Sequence, residues 1–195
     1  MIKKGKIIIL SGPSGSGKTT LYKKLLASRI FKGKIVKAVS VTTRLPRPGE
    51  RGGRDYFFVS RKTFLYKKKA GHFLESQKVF DNYYGTPKKQ VQELLRDGKN
   101  VLLCIDVKGA GVVGRKFPEA VRIFIKTASL AALKERLLKR GSEDDGGIRL
   151  RLNTAREELK EAGHYDYIVI NEDLRKAYRE IEQIILFHIY SGRNL

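Results

Sequence analysis

The chain has 195 residues, a length that suits one compact core with small inserted lobes. Lys and Arg number 41 against 20 Asp and Glu, a formal charge of +21, which draws polyanions such as nucleotides, phosphorylated substrates or nucleic acid. No apolar run approaches the ~20 residues of a membrane helix, and "IIIL" near Met1 is too short for a signal-peptide core. The single cysteine, Cys104, forms no internal disulfide, so a soluble, untargeted, cytoplasmic protein is expected.

In chain order, Lys6–Leu10 is a buried-strand signal, a short β-branched run bounded by glycine. The glycine-rich stretch "GPSGSGKTT", Gly12–Thr20, follows, and Leu21, Leu25 and Leu26 then recur at helical spacing. Lys34–Arg44 reads as one strand and ends in "PRPGERGGRD", a loop. Tyr56–Ser60 is strand-like, and "RKTFLYKKKAG" a short helix closed by Gly71. "HFLESQKVF" reads as strand and "DNYYGTP" as a turn. "PKKQVQELLRDG" has proline at a helix start and glycine past its end. Asn100–Asp106 and "VRIFIKTA" are further apolar strands. Ser129 caps a helix that carries leucines at 130, 133, 137 and 138. "GSEDDGG", 141–147, reads as an acidic hinge. "IRLRLNTAREELKEA" is helical, "YDYIVINED" a last strand and "LRKAYREIEQIILFHIY" a long closing helix.

Alternating strand and helix at both ends predict an α/β fold with a doubly wound parallel sheet. The alternation breaks between about 40 and 86, where several short strands and loops predict an inserted lobe with its own small sheet. The expected division is a core of 1–39, 87–135 and 163–195, a lobe of 40–86 and a helical lid of 136–162.

Gly12–Thr19 matches G-x-x-x-x-G-K-[ST], the P-loop, between an apolar strand and a helix, the context the motif requires. Backbone N–H groups wrap the phosphates where Cβ atoms would obstruct, and the following helix aims its positive end at the anion. Gly12, Pro13, Ser14, Gly15, Ser16, Gly17, Lys18, Thr19 and Thr20 are thus the candidate ATP-binding residues. Lys18 reaches the β- and γ-phosphates, and Thr19 is the expected hydroxyl ligand of Mg²⁺. A P-loop alone leaves open a switch or motor, a small-molecule kinase, or a degenerate binding module.

The segment 40–56 carries arginines at 44, 47, 51 and 54 beside Tyr56, and Glu75, Tyr83, Tyr84 and Thr86 follow. Arginine's planar fork suits a phosphate, and a tyrosine hydroxyl adds a neutral donor. Composition alone allows a solvated basic loop here.

The strings "SGPSGSGKTT", "SVTTRLPRPGERGGRDYFFV", "FLES" with "NYYGT", "IDVKGA", "ERLLKRG" and "YDYIVINEDL" run nearly end to end. Together they resemble the guanylate kinase family, P-loop enzymes that move the γ-phosphoryl of ATP onto GMP. The resemblance implies a P-loop NTPase core, a GMP-binding lobe and a closing lid. It places Arg44, Arg47, Tyr56 and Tyr84 on the GMP phosphate, and Ser40, Glu75 and Thr86 around the guanine, with Gly85 also among the GMP-binding residues. Asp106 falls at the edge of that site and Glu50 in the same pocket. Asn171 falls among the ATP-binding residues. Lys18, Arg44, Arg136, Arg140 and Arg151 become the candidate catalytic cations.

The guanine assignment agrees with chemistry. Guanine presents two adjacent donors, N1–H and the 2-amino group, to one carboxylate, whereas adenine would set an acceptor against it. Such sites discriminate by factors on the order of 10⁴. The acceptor is a phosphate oxygen already ionised at neutral pH, so no strong base is required, and His72, His164 and His188 have no expected role. ATP, GMP and also dGMP are the expected ligands, with Mg²⁺; nucleic acid would bind only through nonspecific charge.

The chain departs from the family at Cys104, where an acid is often found, and at Gly146 and Gly147, which favour a looser lid hinge. A guanylate-kinase-like scaffold module that binds phosphopeptides is the alternative class, but such modules have a degraded P-loop. Another phosphorylated acceptor would leave Glu75 and Ser40 with no guanine to read.

Overall fold

The computed structural model describes residues 4–139 and 145–191. At its centre is β1, Ile7–Ser11, buried along its whole length. It pairs in parallel with β7, Asn100–Cys104, on one side and β8, Val121–Lys126, on the other. β2, Ile35–Lys37, extends one edge and β9, Tyr167–Ile170, the other, in the order β2-β7-β1-β8-β9. Both faces are covered, so these strands read as apolar runs rather than as alternation.

On one face lie α1, Lys18–Ala27, and α7, Leu174–Tyr190. Leu21, Leu25, Ile181 and Ile185 pack there against Ile8, Leu10 and Ile123. On the other lie α3, Lys88–Arg96, and α4, Val107–Lys116, whose Val91, Leu95 and Val113 meet Ile7, Ile9 and Leu103. α5, Leu130–Lys139, and α6, Asp145–Lys160, share a smaller cluster of Leu133, Leu137 and Ala155.

A second sheet has the order β4-β3-β6-β5, formed by β3, Val41–Thr42, β4, Phe57–Phe58, β5, Phe73–Val79, and β6, Asn82–Pro87. It is mixed: β3 and β4 are parallel, the other pairs antiparallel. α2, Arg61–Lys69, is capped by the Ser60 hydroxyl and buries Phe64, which stacks on Phe73 and Tyr83. The chain enters this lobe beside the point where it leaves: the Val39 N–H donates to Gln90 Oε1 at 3.0 Å.

Four expectations are corrected. The run 34–44 is two strands in two sheets, β2 and β3, because the chain changes sheet at 38–40. "NYYGTP" lies in β6, and the turn is the two residues Phe80 and Asp81, between the paired Val79 and Asn82. Phe80 takes a left-handed conformation, φ 53°, a strained geometry for a bulky side chain. Residues 107–116, where no element was expected, are helix α4, and the Asp106 carboxylate caps it by accepting the Gly109 N–H at 2.9 Å. Gly146 and Gly147 belong to the first turn of α6, not to a hinge; 141–144 lie outside the described residues. Among the described residues no helix is long and apolar enough to cross a membrane.

Candidate active site

A cleft of about 520 Å³ opens between the two sheets, lined from one side by the P-loop and from the other by the lobe. The P-loop leaves the carboxyl end of β1, where connections part toward opposite sheet edges, the usual ligand position in such folds. Gly17 caps α1 at φ 95°. A Cβ there would overlap the Asn171 amide, which donates to the Ser16 carbonyl at 2.8 Å. Lys18 curls over its own loop, its Nζ donating to the carbonyls of Gly12 at 2.6 Å and Pro13 at 2.8 Å. Thr19 and Thr20 are exposed on the first turn of α1. Arg136 of α5 donates to the Asn171 carbonyl at 2.6 Å, and Arg151 of α6 reaches Ser14 Oγ at 3.3 Å.

Across the cleft, Arg44 Nη2 contacts both carboxylate oxygens of Glu50, at 3.0 and 2.9 Å. Glu50 also accepts the Arg47 N–H at 2.8 Å, so it shapes the arginine loop rather than standing free. The Arg44 guanidinium lies 5.4 Å from the centre of the Tyr56 ring, and Tyr56 meets Tyr84 edge-on at 6.0 Å. Glu75 on β5 is 6 % exposed, and its Oε1 accepts from Thr86 Oγ1 at 2.6 Å. Burial, with the nearby Asp106 charge, pushes its carboxyl up to about 7 against the pull of Thr86. Gly109 of α4 is required beside it: a Cβ there would come within 2.8 Å of Glu75 Oε2.

A profile of the guanylate kinase family matches residues 4–187. The chain belongs to the guanylate kinase family. It is 44 % identical to a guanylate kinase of Clostridioides difficile over 94 % of this chain and 88 % of that one. To one of Lactiplantibacillus plantarum it is 44 % identical over 100 % of this chain and 94 % of that one. The crystal structure of guanylate kinase from Anaplasma phagocytophilum superposes with a TM-score of 0.75 at 33 % identity, covering 98 % of this chain and 96 % of that one.

In this guanylate kinase most of the expected site residues line this one cleft together, from Gly12, Lys18 and Thr19 to Ser40, Arg44, Arg47, Tyr56, Glu75, Tyr84 and Asp106, with Arg136 and Arg151 above. Five stand behind its wall. Pro13 and Ser16 are buried in the P-loop turn. Asn171 supports that turn, Thr86 donates to Glu75 from behind, and Gly85 lies in the sheet under Phe73. Arg140 lies outside the described residues.

The cleft also holds residues that motif and spacing did not single out. Glu158 lies seven residues beyond Arg151, on the same face of α6, and lines the cleft. Burial raises its carboxyl to about 7, Lys18 opposing and Asp106 adding to the rise. The i, i+7 spacing from Arg151 was its one signal. Asp55 is buried between two cations and a backbone amide: its carboxylate accepts from Arg54 Nε at 2.8 Å and the Arg51 backbone N–H at 2.9 Å, with Lys23 Nζ at 3.5 Å. Phe80 places its ring 4.8 Å from the Arg151 guanidinium. Cys104, marked in the sequence as a departure from the family, lines the cleft too, a partly buried thiol raised by burial with Lys18 and Lys37 opposing.

Proposed function

We infer that this guanylate kinase, whose activity is transfer of the γ-phosphoryl group of ATP to GMP, holds ATP on the P-loop and GMP in the 40–86 lobe. The observation that carries the assignment is Glu75: a buried carboxylate, oriented by Thr86 and facing the cleft. Ionised, it accepts guanine N1–H and the 2-amino group together. Ser40 and Asp106 complete the base pocket, while Arg44, Arg47, Tyr56 and Tyr84 take the monophosphate. Glu50 holds the arginine loop in shape. Charge neutralisation and in-line positioning are what phosphoryl transfer needs, and Lys18, Arg44, Arg136 and Arg151 supply cations from three sides; Arg140 is assigned with them from the motif alone.

Mg²⁺ fits this site as an ion carried by nucleotide phosphates. Thr19 offers an exposed hydroxyl, and among the described residues no group of three or more acidic, histidine or cysteine side chains forms a cage. Mg²⁺ commonly takes few protein ligands and keeps waters. It would neutralise charge between the phosphates, with Asp106 and Glu158 at hand for its waters. We assign residues 136–162 to the lid, which would exclude water from the phosphoryl group. dGMP is expected to serve beside GMP.

The test is ADP release from Mg·ATP with GMP, dGMP, AMP, UMP or CMP, beside Glu75→Gln. Turnover confined to GMP and dGMP, with kcat/KM for GMP lowered about 100-fold or more in the variant, is expected. Equal GMP kinetics in the variant would remove Glu75 from the base site.

A further inference from the structure

Lys37 ends the edge strand β2, in register with Leu102 of β7. Its ammonium lies 5.1 Å from the ring centre of Tyr22 and 5.5 Å from that of Tyr56. It donates to the Asp55 carbonyl at 2.8 Å. Tyr22 and Lys23 belong to α1, the helix that begins in the P-loop, and Lys23 pairs from the core with the Asp55 carboxylate, which Arg54 also holds within the lobe. Core and lobe are therefore joined at Asp55 and Tyr56, whose ring also lies beside Arg44.

A charge in this position is costly. Burial holds the Lys37 ammonium below the usual lysine range, while Cys104, Asp55 and Glu50 work against that and Lys23 adds to it. A methyl-terminated chain of similar length would fill the space between the rings without that cost. What the ammonium adds is attraction to two ring faces and a carbonyl, each on the path from the P-loop helix to the phosphate arginine.

We propose that Lys37 is a positioning residue for the acceptor nucleotide: held between Tyr22 and Tyr56 and bonded to Asp55, it fixes Tyr56 and Arg44 at a set distance from the P-loop. The acceptor phosphate then meets the donor triphosphate in line. This deepens the assignment of GMP to the 40–86 lobe and rests on it.

The test compares Lys37→Met, which keeps the stem, with Lys37→Arg, which keeps a cation, in steady-state kinetics with each nucleotide varied in turn. Lys37→Met should raise KM for GMP about tenfold and lower kcat, with KM for ATP and the thermal midpoint nearly unchanged. Lys37→Arg should recover most of the loss. In a Tyr22→Leu background, Lys37→Met should add about twofold or less, because the two residues act through one contact. Unchanged GMP kinetics in Lys37→Met would overturn the proposal. So would an arginine variant as impaired as the methionine one, or an equal loss for ATP and GMP with a lowered midpoint. Glu75→Gln run in parallel separates the two levels. If that variant loses GMP turnover while Lys37→Met does not, only the Lys37 role fails; if it loses nothing, the base-site assignment fails first.

Discussion

Glu75 shows how a single side chain can serve recognition at the expense of the fold. Its carboxyl titrates near 7 in the folded protein against an ordinary 4.5, so the folded state holds its proton more tightly than the unfolded chain does. Its contribution to stability is fully present below pH 4.5 and is lost as pH rises through about 7. Glu75→Gln, which keeps an oxygen for Thr86, should therefore stabilise the free enzyme near pH 8 by an amount on the order of 3 kcal/mol at most and by almost nothing near pH 4. Urea unfolding midpoints across that range check it; a difference that does not change with pH would mean that the carboxyl titrates as an exposed one. The same residue was legible in the sequence only through its motif, "FLES" with "NYYGT". Lys37, Asp55 and Glu158 were not legible, because one charged residue in a strand, loop or helix looks the same whether solvated or folded inward. The lysine-rich composition hid Lys37 further.

At the scale of elements, the strands of the parallel sheet and the long helices were readable because their apolar patterns are set by burial on known faces. The failures were local. α4 is rich in glycine, which lowers helix propensity by about 1 kcal/mol per residue; close approach to Glu75 outweighs that at Gly109. "NYYGTP" carries turn-forming residues inside a strand. The turn itself falls on Phe80, an unlikely residue for φ 53°, with its ring over Arg151 of α6. Left-handed strain of this kind costs about 1–3 kcal/mol, while glycine's added freedom in the unfolded chain costs about 0.5–1 kcal/mol. Phe80→Gly should thus fold at least as stably as the parent. It should lose kcat/KM by about three- to tenfold, because the ring no longer meets Arg151, a cation we assign to phosphoryl transfer. Lower stability with unchanged kinetics would show that the ring serves packing alone.

For the whole molecule, the charge of +21 acts on both substrates, which are themselves anions. Raising salt from about 50 to about 200 mM should raise KM for GMP and ATP several-fold with little change in kcat, since screening weakens capture more than it weakens contacts inside a closed cleft. A kcat that falls in proportion would place the salt-sensitive charges in the transfer step. The topology has a different consequence, for the order in which the protein is made. The core strands β1 and β2 are not neighbours; each pairs with β7, which begins at Asn100. No strand pair of the core sheet can form until the ribosome has passed that point. The lobe, whose ends meet at Val39 and Gln90, lies wholly upstream of that point, and its β5 and β6 pair across a two-residue turn, so its contacts are the more local ones. The nascent chain can thus build the lobe that we assign to the acceptor before any part of the sheet that carries the P-loop exists.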